Sequence, residues 1–459
     1  MTRIDPSILR TYDIRGVVDQ TLTEATARAL GHAIGSTAAE AGQSTLVVGY
    51  DGRASSPRLA AALRAGLTAA GRTVIDIGEV PTPVMYFATY HLATGAGVAV
   101  TGSHNPAEYN GLKTMLDGRP LWGEAIQALG ARLEAGDLVH GEGSETRVDV
   151  LPAYQARITD DIQLARRLKV VVDCGNGVAG AIAPAILAAL GADVVPLFCE
   201  VDGRFPNHHP DPTVPENLND LIEAVDSEGA DLGLAFDGDG DRLGVVDETG
   251  HIIWADRQMM LYAGDILKRQ PSADIVFDVK CSGTLAETIT AAGGTPVMWK
   301  TGHSLIKEKL RETGAPLAGE MSGHLFFNDR WYGFDDGIYA AARLLEILAA
   351  DGRAASAVFG ELPEPVSTPE IRLDLSEGQP HRLISALLDK AQGFDNARVT
   401  TIDGLRVDFD NGWGLVRASN TQPCLVMRFE GHDQSALESI RRRFEALIHD
   451  AGQEVGIAI

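Results

Sequence analysis

Apolar residues recur along the chain in short runs that alternate with longer stretches of helical spacing. One run lies in LVVGYDGR at residues 46–53, and Ser56 follows as a predicted N-cap with Pro57 at the first helical position. Leucines then recur at every fourth position over residues 59–67, and Gly71 stands where a helix C-cap belongs. This order predicts a strand, a tight turn and a helix whose apolar stripe faces a sheet.

The same order returns at residues 169–180 and 273–285, where an apolar strand again closes on an aspartate before a turn and a helix. Each of the three units has a second predicted strand with a glycine-rich polar end, at residues 97–106, 231–242 and 316–324. Loops at the carboxyl ends of strands line the ligand crevice of α/β sheets. We therefore expect three related α/β units whose loops converge on one cleft.

The chain has 459 residues, which is too many for one hydrophobic core. After about residue 363, the proline-rich connector ELPEPVSTPE leads into mixed strands and helices that lack the strand–aspartate signature. This change of pattern predicts a fourth domain. The predicted domains span residues 1–148, 149–251, 252–363 and 364–459.

The chain carries 63 acidic and 39 basic residues, a formal net charge of −24. That charge opposes a broad attraction to nucleic-acid phosphates or to an anionic membrane surface, so we expect neither as a partner. The opening residues MTRIDPSILR lack the features of a secretory signal, and glycine and proline interrupt the most apolar segment, residues 176–193. We expect a cytoplasmic monomer, in which a small anionic substrate would need a locally basic pocket.

The four cysteines are Cys174, Cys199, Cys281 and Cys424, which are far apart in sequence and form no C-x-x-C pair. Zinc sites and disulfide frameworks are both recognised by characteristic cysteine spacings. Because no such spacing is present, the sequence indicates neither kind of site. We interpret all four as small residues of the core.

The first polar loop, TGSHNPAEYNGLK at residues 101–113, holds Ser103 beside His104, and Lys113 follows an Asn-Pro turn. We expect this serine to be exposed and positioned. A serine hydroxyl becomes reactive with an adjacent base, or as a phosphate ester that donates its phosphoryl group. A capped turn without a chemical role is the alternative, because Ser, Asn, Pro and Gly are common turn residues.

The second polar loop, DGDGDR at residues 237–242, has Asp237, Asp239 and Asp241 at alternate positions. Three carboxylates can therefore face one way while the glycines allow tight curvature. Mg²⁺ favours a few carboxylates together with a phosphate oxygen, and a cation would offset the repulsion among the clustered charges. The loop predicts a magnesium site, and a solvated acidic turn is the alternative.

An EF-hand calcium site shares part of this spacing, because the three aspartates and Glu248 occupy positions 1, 3, 5 and 12 of that register. Position 6 is Arg242, where an EF-hand needs glycine, and the residues before the loop predict a strand where an EF-hand has a helix. We therefore reject the calcium-sensor interpretation. Arg242 instead offers a fixed cation for bidentate contact with a phosphate.

Two further loops are rich in hydrogen-bonding groups. GEMSGH at residues 319–324 offers Glu320, Ser322 and His324, which suit sugar hydroxyls, and an incidental polar loop is the alternative. The loop RASNTQP at residues 417–423 could wrap a phosphate, and a simple N-cap is the alternative. Its donors are Arg417, Ser419, Asn420 and Thr421. Weaker isolated candidates are Tyr12, Arg15, Lys280 and His303.

Together the four loops resemble those of the α-D-phosphohexomutases, most closely the bacterial phosphomannomutase/phosphoglucomutase branch, and they follow that family's order over essentially the whole chain. The resemblance implies an α/β fold of four domains around a deep central cleft. Three domains are implied to share a related core with a mixed sheet, and the C-terminal domain to be α+β. Gly102 stands where many relatives have alanine, a difference that we expect to leave the chemistry intact.

The resemblance also implies roles for single residues. It makes Ser103 a phosphoserine and a metal ligand, with Asp237, Asp239 and Asp241 holding Mg²⁺. Arg15, Lys113 and Arg242 are implied to lie near the transferring group, and Lys113 and His324 to be candidate proton carriers. Substrate contacts are implied for Tyr12, Arg242, Lys280, His303, Glu320, Ser322, His324, Arg417, Ser419, Asn420 and Thr421.

The implied reaction interconverts the 1-phosphates and 6-phosphates of glucose and of mannose through a hexose 1,6-bisphosphate, with glucose 1,6-bisphosphate as activator. Contacts near sugar O3 and O4 would leave C2 loosely read, so we expect both sugars as substrates. Phosphoglucosamine mutases, an alternative, resemble GEQSGH in the sugar loop, where this chain has Met321. A sugar-phosphate phosphatase and a non-catalytic phosphosugar sensor are the remaining alternatives.

Overall fold

A computed structural model describes residues 4–390, 394, 397–420 and 422–457, which form four successive sheets. The first three sheets mix parallel and antiparallel pairs, and the described strands of the fourth are all antiparallel. The predicted fold class, α/β with three related units and a C-terminal α+β domain, is confirmed.

The first unit buries a sheet beneath two closely packed helices. Its elements are β1 (Ile14–Val17), α1 (Glu24–Glu40), β2 (Thr45–Tyr50), α2 (Ser56–Ala69), β3 (Thr73–Glu79), α3 (Thr82–His91), β4 (Gly97–Val100), β5 (Tyr109–Leu116), β6 (Arg119–Pro120), α4 (Glu124–Ala135) and β7 (Glu145–Arg147). The strand order is β1-β5-β4-β2-β3-β7, with β6 beside β5. Gly31 and Gly66 let α1 and α2 approach closely, because a Cβ at either position would overlap the partner helix.

The second unit has the strand order β12-β11-β10-β8-β9. In chain order its elements are α5 (Leu151–Asp161), β8 (Lys169–Asp173), α6 (Ala183–Ala189), β9 (Asp193–Leu197), α7 (Asn219–Glu228), β10 (Leu232–Phe236), β11 (Leu243–Asp247) and β12 (Ile252–Ile253). Short 3₁₀ helices lie at Pro6–Ile8, Val178–Ala181 and Pro215–Leu218, one in the first unit and two in this one.

The third unit has the strand order β14-β13-β15-β16. Its elements are α8 (Ala255–Arg269), β13 (Asp274–Asp278), α9 (Gly283–Ala291), β14 (Thr295–Trp299), α10 (His303–Thr313), β15 (Leu317–Gly319), β16 (Leu325–Phe327), α11 (Gly337–Asp351) and α12 (Ala355–Phe359). In all three units a central strand (β2, β8 or β13) lies parallel to a second strand (β4, β10 or β15) that turns back through a polar loop into an antiparallel neighbour.

The fourth unit packs two helices against its antiparallel sheet. It contains β17 (Val366–Ser367), β18 (Ile371–Asp374), α13 (Gln379–Asp389), β19 (Arg398–Thr400), β20 (Leu405–Phe409), β21 (Gly412–Ala418), β22 (Cys424–Gly431) and α14 (Gln434–Val455). Its own hydrophobic core includes Leu387 and Phe444. Arg406 ties it to the third unit by donating to the carbonyls of Val279 at 2.6 Å and Cys281 at 2.8 Å.

One continuous hydrophobic cluster runs through the first three units and includes Val47, Leu234 and Ile275. The polar loops therefore project from a common packed base. Helix α2 differs in detail from the prediction, because Ser55 and not Ser56 is its N-cap residue; the Ser56 hydroxyl donates to the carboxylate of Asp51 over 2.5 Å. Among the described residues, no helix is long and apolar enough to cross a lipid bilayer.

Candidate active site

Ser103 follows β4 in the left-handed region of backbone conformation, with φ +48°. Its N–H donates to the Thr101 hydroxyl over 2.8 Å, and its own hydroxyl donates to Asp237 over 3.1 Å. Nδ1 of His104 lies 3.2 Å from the same hydroxyl, and burial together with Arg242 lowers the pKa of this imidazole well below its usual range. Ser103 is only 1% exposed, so the predicted exposure is wrong, because the loop after β10 covers the serine.

A buried arginine that the sequence analysis did not single out holds the serine loop. The Arg53 guanidinium donates to four loop carbonyls at distances between 2.5 and 3.0 Å, those of Ser103, Asn105, Pro106 and Tyr109. Its Nε donates to Asp51 over 3.2 Å, and Asp51 accepts from the Thr101 hydroxyl and the Gly102 N–H. We call Asp51 and Arg53 the serine-loop brace. A Cβ at position 102 would overlap the guanidinium, so Gly102 leaves room for this brace.

The three predicted metal ligands follow β10 and meet at one point. Asp237, Asp239 and Asp241 are fully buried, and one carboxylate oxygen from each lies within 4.8 Å of the others. Gly240, with φ +77°, allows the tight curvature between them. Burial and the two neighbouring carboxylates raise the pKa of Asp237 well above its usual range. A bound cation would relieve this repulsion.

These carboxylates fit a divalent metal ion. Asp239 Oδ1 and Asp241 Oδ1 are buried and lack a hydrogen-bond partner among the described residues. Hard cations such as Mg²⁺ are bound by carboxylate oxygens, so the unpartnered atoms are of the right chemical type. Ser103 lies beside the same group through its bond to Asp237.

Three basic side chains lie around the carboxylates and the serine loop. Lys113 Nζ donates to Asp239 over 2.8 Å and also contacts Asp241. Burial alone would lower the pKa of Lys113, but these two carboxylates outweigh it and raise the pKa above its usual range. Arg15 donates to the Thr101 carbonyl over 3.3 Å, and Arg242 Nε lies 3.8 Å from Asp237. Three cations therefore lie among the three carboxylates, in a strongly acidic protein.

Asp335, which precedes α11, joins two predicted histidines. Its Oδ2 lies 3.2 Å from Nδ1 of His324 and 3.4 Å from Nδ1 of His303, while its Oδ1 accepts from Lys307 over 2.8 Å. Nε2 of His324 accepts from Arg242 Nε over 3.1 Å. An imidazole nitrogen that accepts carries no proton, so the proton of a neutral His324 is on Nδ1, facing Asp335. Asp241 Oδ1 lies 3.5 Å from the same Nδ1, so two carboxylates face this side of the ring, and Asp335 is the nearer one.

The loop GEMSGH lies between β15 and β16, and its Glu320 is buried within the third unit. Oε1 of Glu320 accepts from the Gly302 N–H over 2.5 Å, and burial raises the pKa of this carboxyl. Ser322 remains partly exposed. Lys280 comes from the loop after β13, and its ammonium lies 3.1 Å from Glu370 at the start of the fourth unit. These groups line the boundary between the third and fourth units.

The predicted phosphate loop follows β21. Arg417 Nε donates to Asp403 over 3.0 Å, while its buried Nη2 has no hydrogen-bond partner among the described residues. The Asn420 side chain donates to the Tyr12 hydroxyl, which itself donates to the Thr301 carbonyl over 2.6 Å. Ser419 lies in the same loop, and Thr421 falls outside the described residues. Tyr12 thus links the first, third and fourth units.

Sequence reasoning missed five residues that shape this site: Asp51, Arg53, Asp211, Asp335 and Asp403. Asp51 and Arg53 lie at the end of β2 in the motif LVVGYDGR, which is a signal that could have identified them. Asp211 lies 3.7 Å from Arg242. Burial opposes the ionisation of Asp211, but the charge of Arg242 and the hydrogen bonds from Thr213 keep its pKa at about 2. Asp335 and Asp403 have no signal in the neighbouring sequence, because their partners belong to other loops and elements.

Comparison with known protein families gives a match in each unit. The matching families are Phosphoglucomutase/phosphomannomutase alpha/beta/alpha domain I at residues 6–140, domain II at residues 152–250 and domain III at residues 254–366, and the C-terminal domain at residues 370–447. Matches of the same family in its domain order therefore cover most of the chain.

Curated relatives and a solved structure agree with these matches. A phosphomannomutase/phosphoglucomutase from Pseudomonas aeruginosa is 57% identical over 438 residues, covering 95% of this chain and 94% of the relative. A phosphoglucomutase from Neisseria gonorrhoeae is 51% identical, covering 98% of both. The crystal structure of a phosphoglucomutase/phosphomannomutase family protein from Burkholderia thailandensis is similar with a TM-score of 0.93 and 51% identity, covering 98% of both chains.

Proposed function

Because the chain belongs to the phosphoglucomutase/phosphomannomutase family, we propose that it interconverts the 1-phosphates and 6-phosphates of both glucose and mannose. It is a mutase, an isomerase that moves a phosphoryl group within one substrate. The observation that carries the proposal is the meeting of Ser103 with the three aspartates, where the serine hydroxyl bonds to Asp237 over 3.1 Å. A nucleophile, a cation site and basic side chains are the components that phosphoryl transfer needs.

In this proposal, phosphorylated Ser103 donates its phosphoryl group to the free hydroxyl of a hexose phosphate. The Ser–O–P bond breaks, a sugar–O–P bond forms, and the hydroxyl loses its proton. The resulting hexose 1,6-bisphosphate turns end over end, and its opposite phosphate returns to Ser103. Added glucose 1,6-bisphosphate activates by rephosphorylating a serine that has lost its phosphate.

Charge on the transferring group is the main electrostatic demand of the reaction. Arg15 and Arg242 meet it with guanidinium groups that reach the serine loop and the metal loop. Mg²⁺ held by Asp237, Asp239, Asp241 and phosphorylated Ser103 supplies further positive charge there when bound. These groups stabilise charge, so the transfer of protons needs other side chains.

Lys113 and His324 are the proposed proton carriers, and they differ in what they offer. Lys113 is held as an ammonium between two carboxylates that raise its pKa, so it is a weak acid that would give its proton only to a strongly basic leaving oxygen. His324 presents Nε2 as an acceptor toward Arg242, so a shift of that arginine toward a phosphate would free this nitrogen. General acid–base catalysis of this kind is worth roughly 10²–10⁴-fold in rate.

The remaining residues would hold the substrate in both orientations. We propose that Glu320 and Ser322 bind sugar hydroxyls, and that Tyr12, Lys280 and His303 line the same space. The substrate's non-reacting phosphate would be bound by Arg417, Ser419, Asn420 and Thr421, and the buried unpartnered Nη2 of Arg417 supports this assignment. Because the contacts lie near O3 and O4, they distinguish the two configurations at C2 only weakly, so glucose and mannose are both accepted.

A coupled assay tests the proposal with glucose 1-phosphate and mannose 1-phosphate, each with Mg²⁺ and trace hexose 1,6-bisphosphate. Wild-type turnover of both sugars should be lost in Ser103→Ala and retained in Ser227→Ala, a matched control whose hydroxyl is exposed on α7. A ratio of kcat/KM between the sugars beyond roughly a thousandfold, or ~4 kcal/mol, would refute dual specificity. Inactivity on both, with release of phosphate or turnover of glucosamine phosphate, would identify a different reaction.

We further propose that the enzyme is a cytoplasmic monomer whose partners are small hexose phosphates. The net charge of −24 supports the absence of nucleic-acid and membrane partners. The buried cations Lys113, Arg15 and Arg242 offer positive charge to a small anionic substrate, which supports hexose phosphates as the partners. Light scattering after size exclusion should give a mass near 48.8 kDa, whereas twice that mass would refute a monomer.

A further inference from the structure

Two of the four cysteines, which the sequence treats as unrelated core residues, lie together at the ends of neighbouring strands. Cys174 directly follows β8 and Cys199 follows β9, and their sulfur atoms are 3.6 Å apart. All four cysteines are free thiols. We propose that Cys174 and Cys199 form a reversible redox site. Hydroperoxides oxidise the two thiols to a disulfide, and this bond disturbs the metal loop.

The pairing of the two strands brings the thiols together. Strands β8 and β9 pair in parallel, with Asp173 opposite Leu197, and the Cys174 N–H donates to the Leu197 carbonyl over 3.2 Å. The paired register ends one residue before Cys174 and two residues before Cys199, and the 3.6 Å between their sulfur atoms places the two thiols side by side. A disulfide needs about 2.05 Å between the sulfurs, so the two thiols must approach by roughly 1.5 Å. Side-chain rotation and a small shift of the turn after β8 would supply this movement.

The two thiols are suited to different steps. Cys199 is partly exposed, so a hydroperoxide can reach its sulfur. Cys174 is fully buried, and its sulfur accepts the hydrogen bond that the Cys199 thiol donates. Accessible thiols react first with peroxides, and a neighbouring thiol then resolves the product. Cys199 is therefore the attacking residue and Cys174 the resolving one.

The reaction balances with a hydroperoxide as the named oxidant. The Cys199 thiolate attacks the terminal peroxide oxygen, the O–O bond breaks, and an alcohol or water leaves with a proton, which gives a sulfenic acid. The Cys174 sulfur then attacks the sulfenic sulfur, and hydroxide leaves and takes up the Cys174 proton as water. Two electrons pass from the thiols to the peroxide. A dithiol reductant reverses the change by thiol–disulfide exchange.

The turn after β8 connects this pair to the metal loop. The Cys174 carbonyl accepts from the Gly177 N–H over 2.6 Å, and the Val178 N–H donates to the Gly238 carbonyl over 3.2 Å. Gly238 lies between two of the proposed metal ligands, and a Cβ added at Gly177 would come within 3.0 Å of Gly238. Drawing Cys174 toward Cys199 therefore moves the surface on which the metal loop rests. This functional consequence rests on the proposed mutase activity and its magnesium site.

The test treats the full-length wild type with hydrogen peroxide and measures the intact mass, the peptide map and the binding of Mg²⁺ by calorimetry. We expect a loss of about 2 Da with a Cys174–Cys199 peptide, a Mg²⁺ dissociation constant at least about threefold weaker, and recovery of both with dithiothreitol. Turnover should fall and recover in parallel. Recovery distinguishes the disulfide from methionine oxidation, which dithiothreitol does not reverse within the same time.

Cys199→Ser and Cys174→Ser should each abolish the mass change and the reversible loss of Mg²⁺ affinity. Cys424→Ser is the matched control and should retain both, each relative to its own untreated sample. Complete alkylation of both thiols in peroxide-treated wild type would overturn the proposal without any variant. A disulfide that forms while Mg²⁺ affinity is unchanged would overturn its effect on the metal loop. Because mass and calorimetry need no sugar chemistry, failure of the mutase assay alone would count only against the proposed function.

Discussion

Replacing Arg53 with lysine should lower turnover far more than substrate affinity. Arg53 makes five hydrogen bonds, four to carbonyls of the serine loop and one to Asp51. A lysine ammonium has three donors and no planar fork, so at least two of these bonds are lost while the charge is kept. Ser103 would then be less firmly held in its left-handed conformation, which costs an L-residue roughly 1–2 kcal/mol.

The structure sets the size of the effect. Hydrogen bonds to charged groups contribute about 1.5–3 kcal/mol each, so two lost bonds destabilise the loop by at least about 3 kcal/mol. With an unfolding entropy of ~2.1 cal/mol/K per residue, Tm should fall by roughly 10 °C if the matched residues 6–140 unfold alone, and by roughly 3 °C if the whole chain unfolds together. Misplacing a nucleophile by about 1 Å costs up to 10²-fold in rate.

Steady-state kinetics at a temperature well below Tm separates these effects. We expect kcat of Arg53→Lys to fall by at least about tenfold. We expect KM to change by less than about threefold, because all the proposed contacts to the sugar and the non-reacting phosphate except Tyr12 come from the third and fourth units. Arg58→Lys is the matched control, since Arg58 is a partly exposed arginine on α2 paired with Asp19 and Glu24, and it should remain near wild type. Unchanged kcat and Tm in Arg53→Lys would refute the brace.

Three further predictions concern the same molecule. Asp335→Asn should lower kcat about tenfold or more with little change in KM, because Lys307 and the two histidines lose their shared carboxylate. A rise in KM as large as the fall in kcat would contradict an orienting role of Asp335. Chelation of divalent ions should abolish turnover, Mg²⁺ should restore it, and Asp239→Asn should need more Mg²⁺; full activity in chelator would contradict the metal site. Burial alone would lower the pKa of His208, but the hydrogen bond to Asp173 outweighs it and raises this pKa. The Tm of wild type should therefore exceed that of His208→Asn most clearly below pH 6.5, and the difference should shrink as pH rises through the raised pKa. A difference in Tm that grows with pH would refute the charged pair.

The sequence predicted the elements that depend on local order. Strand ends that close on an aspartate, such as Asp173 and Asp278, follow from apolar runs stopped by a turn, and the structure confirms strands there. The alternation of Asp237, Asp239 and Asp241 with glycine predicted one cluster, because carboxylates at such spacing can turn to the same side. Three repeats of this order were enough to predict three related sheets.

Burial and partner choice needed the tertiary structure. The local pattern around Ser103 is that of an exposed turn, yet a loop more than a hundred residues later covers it. The bonds of Arg53 to a loop fifty residues away, and the thiol contact between Cys174 and Cys199, arise from strands that are neighbours only in a folded sheet.

The division has one physical reason. Strand, turn and helix signals come from side chains within a few positions of one another, so the chain alone determined the three related units and the positions of the four polar loops. The distances between loops depend on how the buried faces of the first three units pack into one hydrophobic cluster. Only that packing decided that Ser103, Asp237 and Arg242 share one pocket, that Asp335 lies against His324, and that two cysteines far apart in sequence touch.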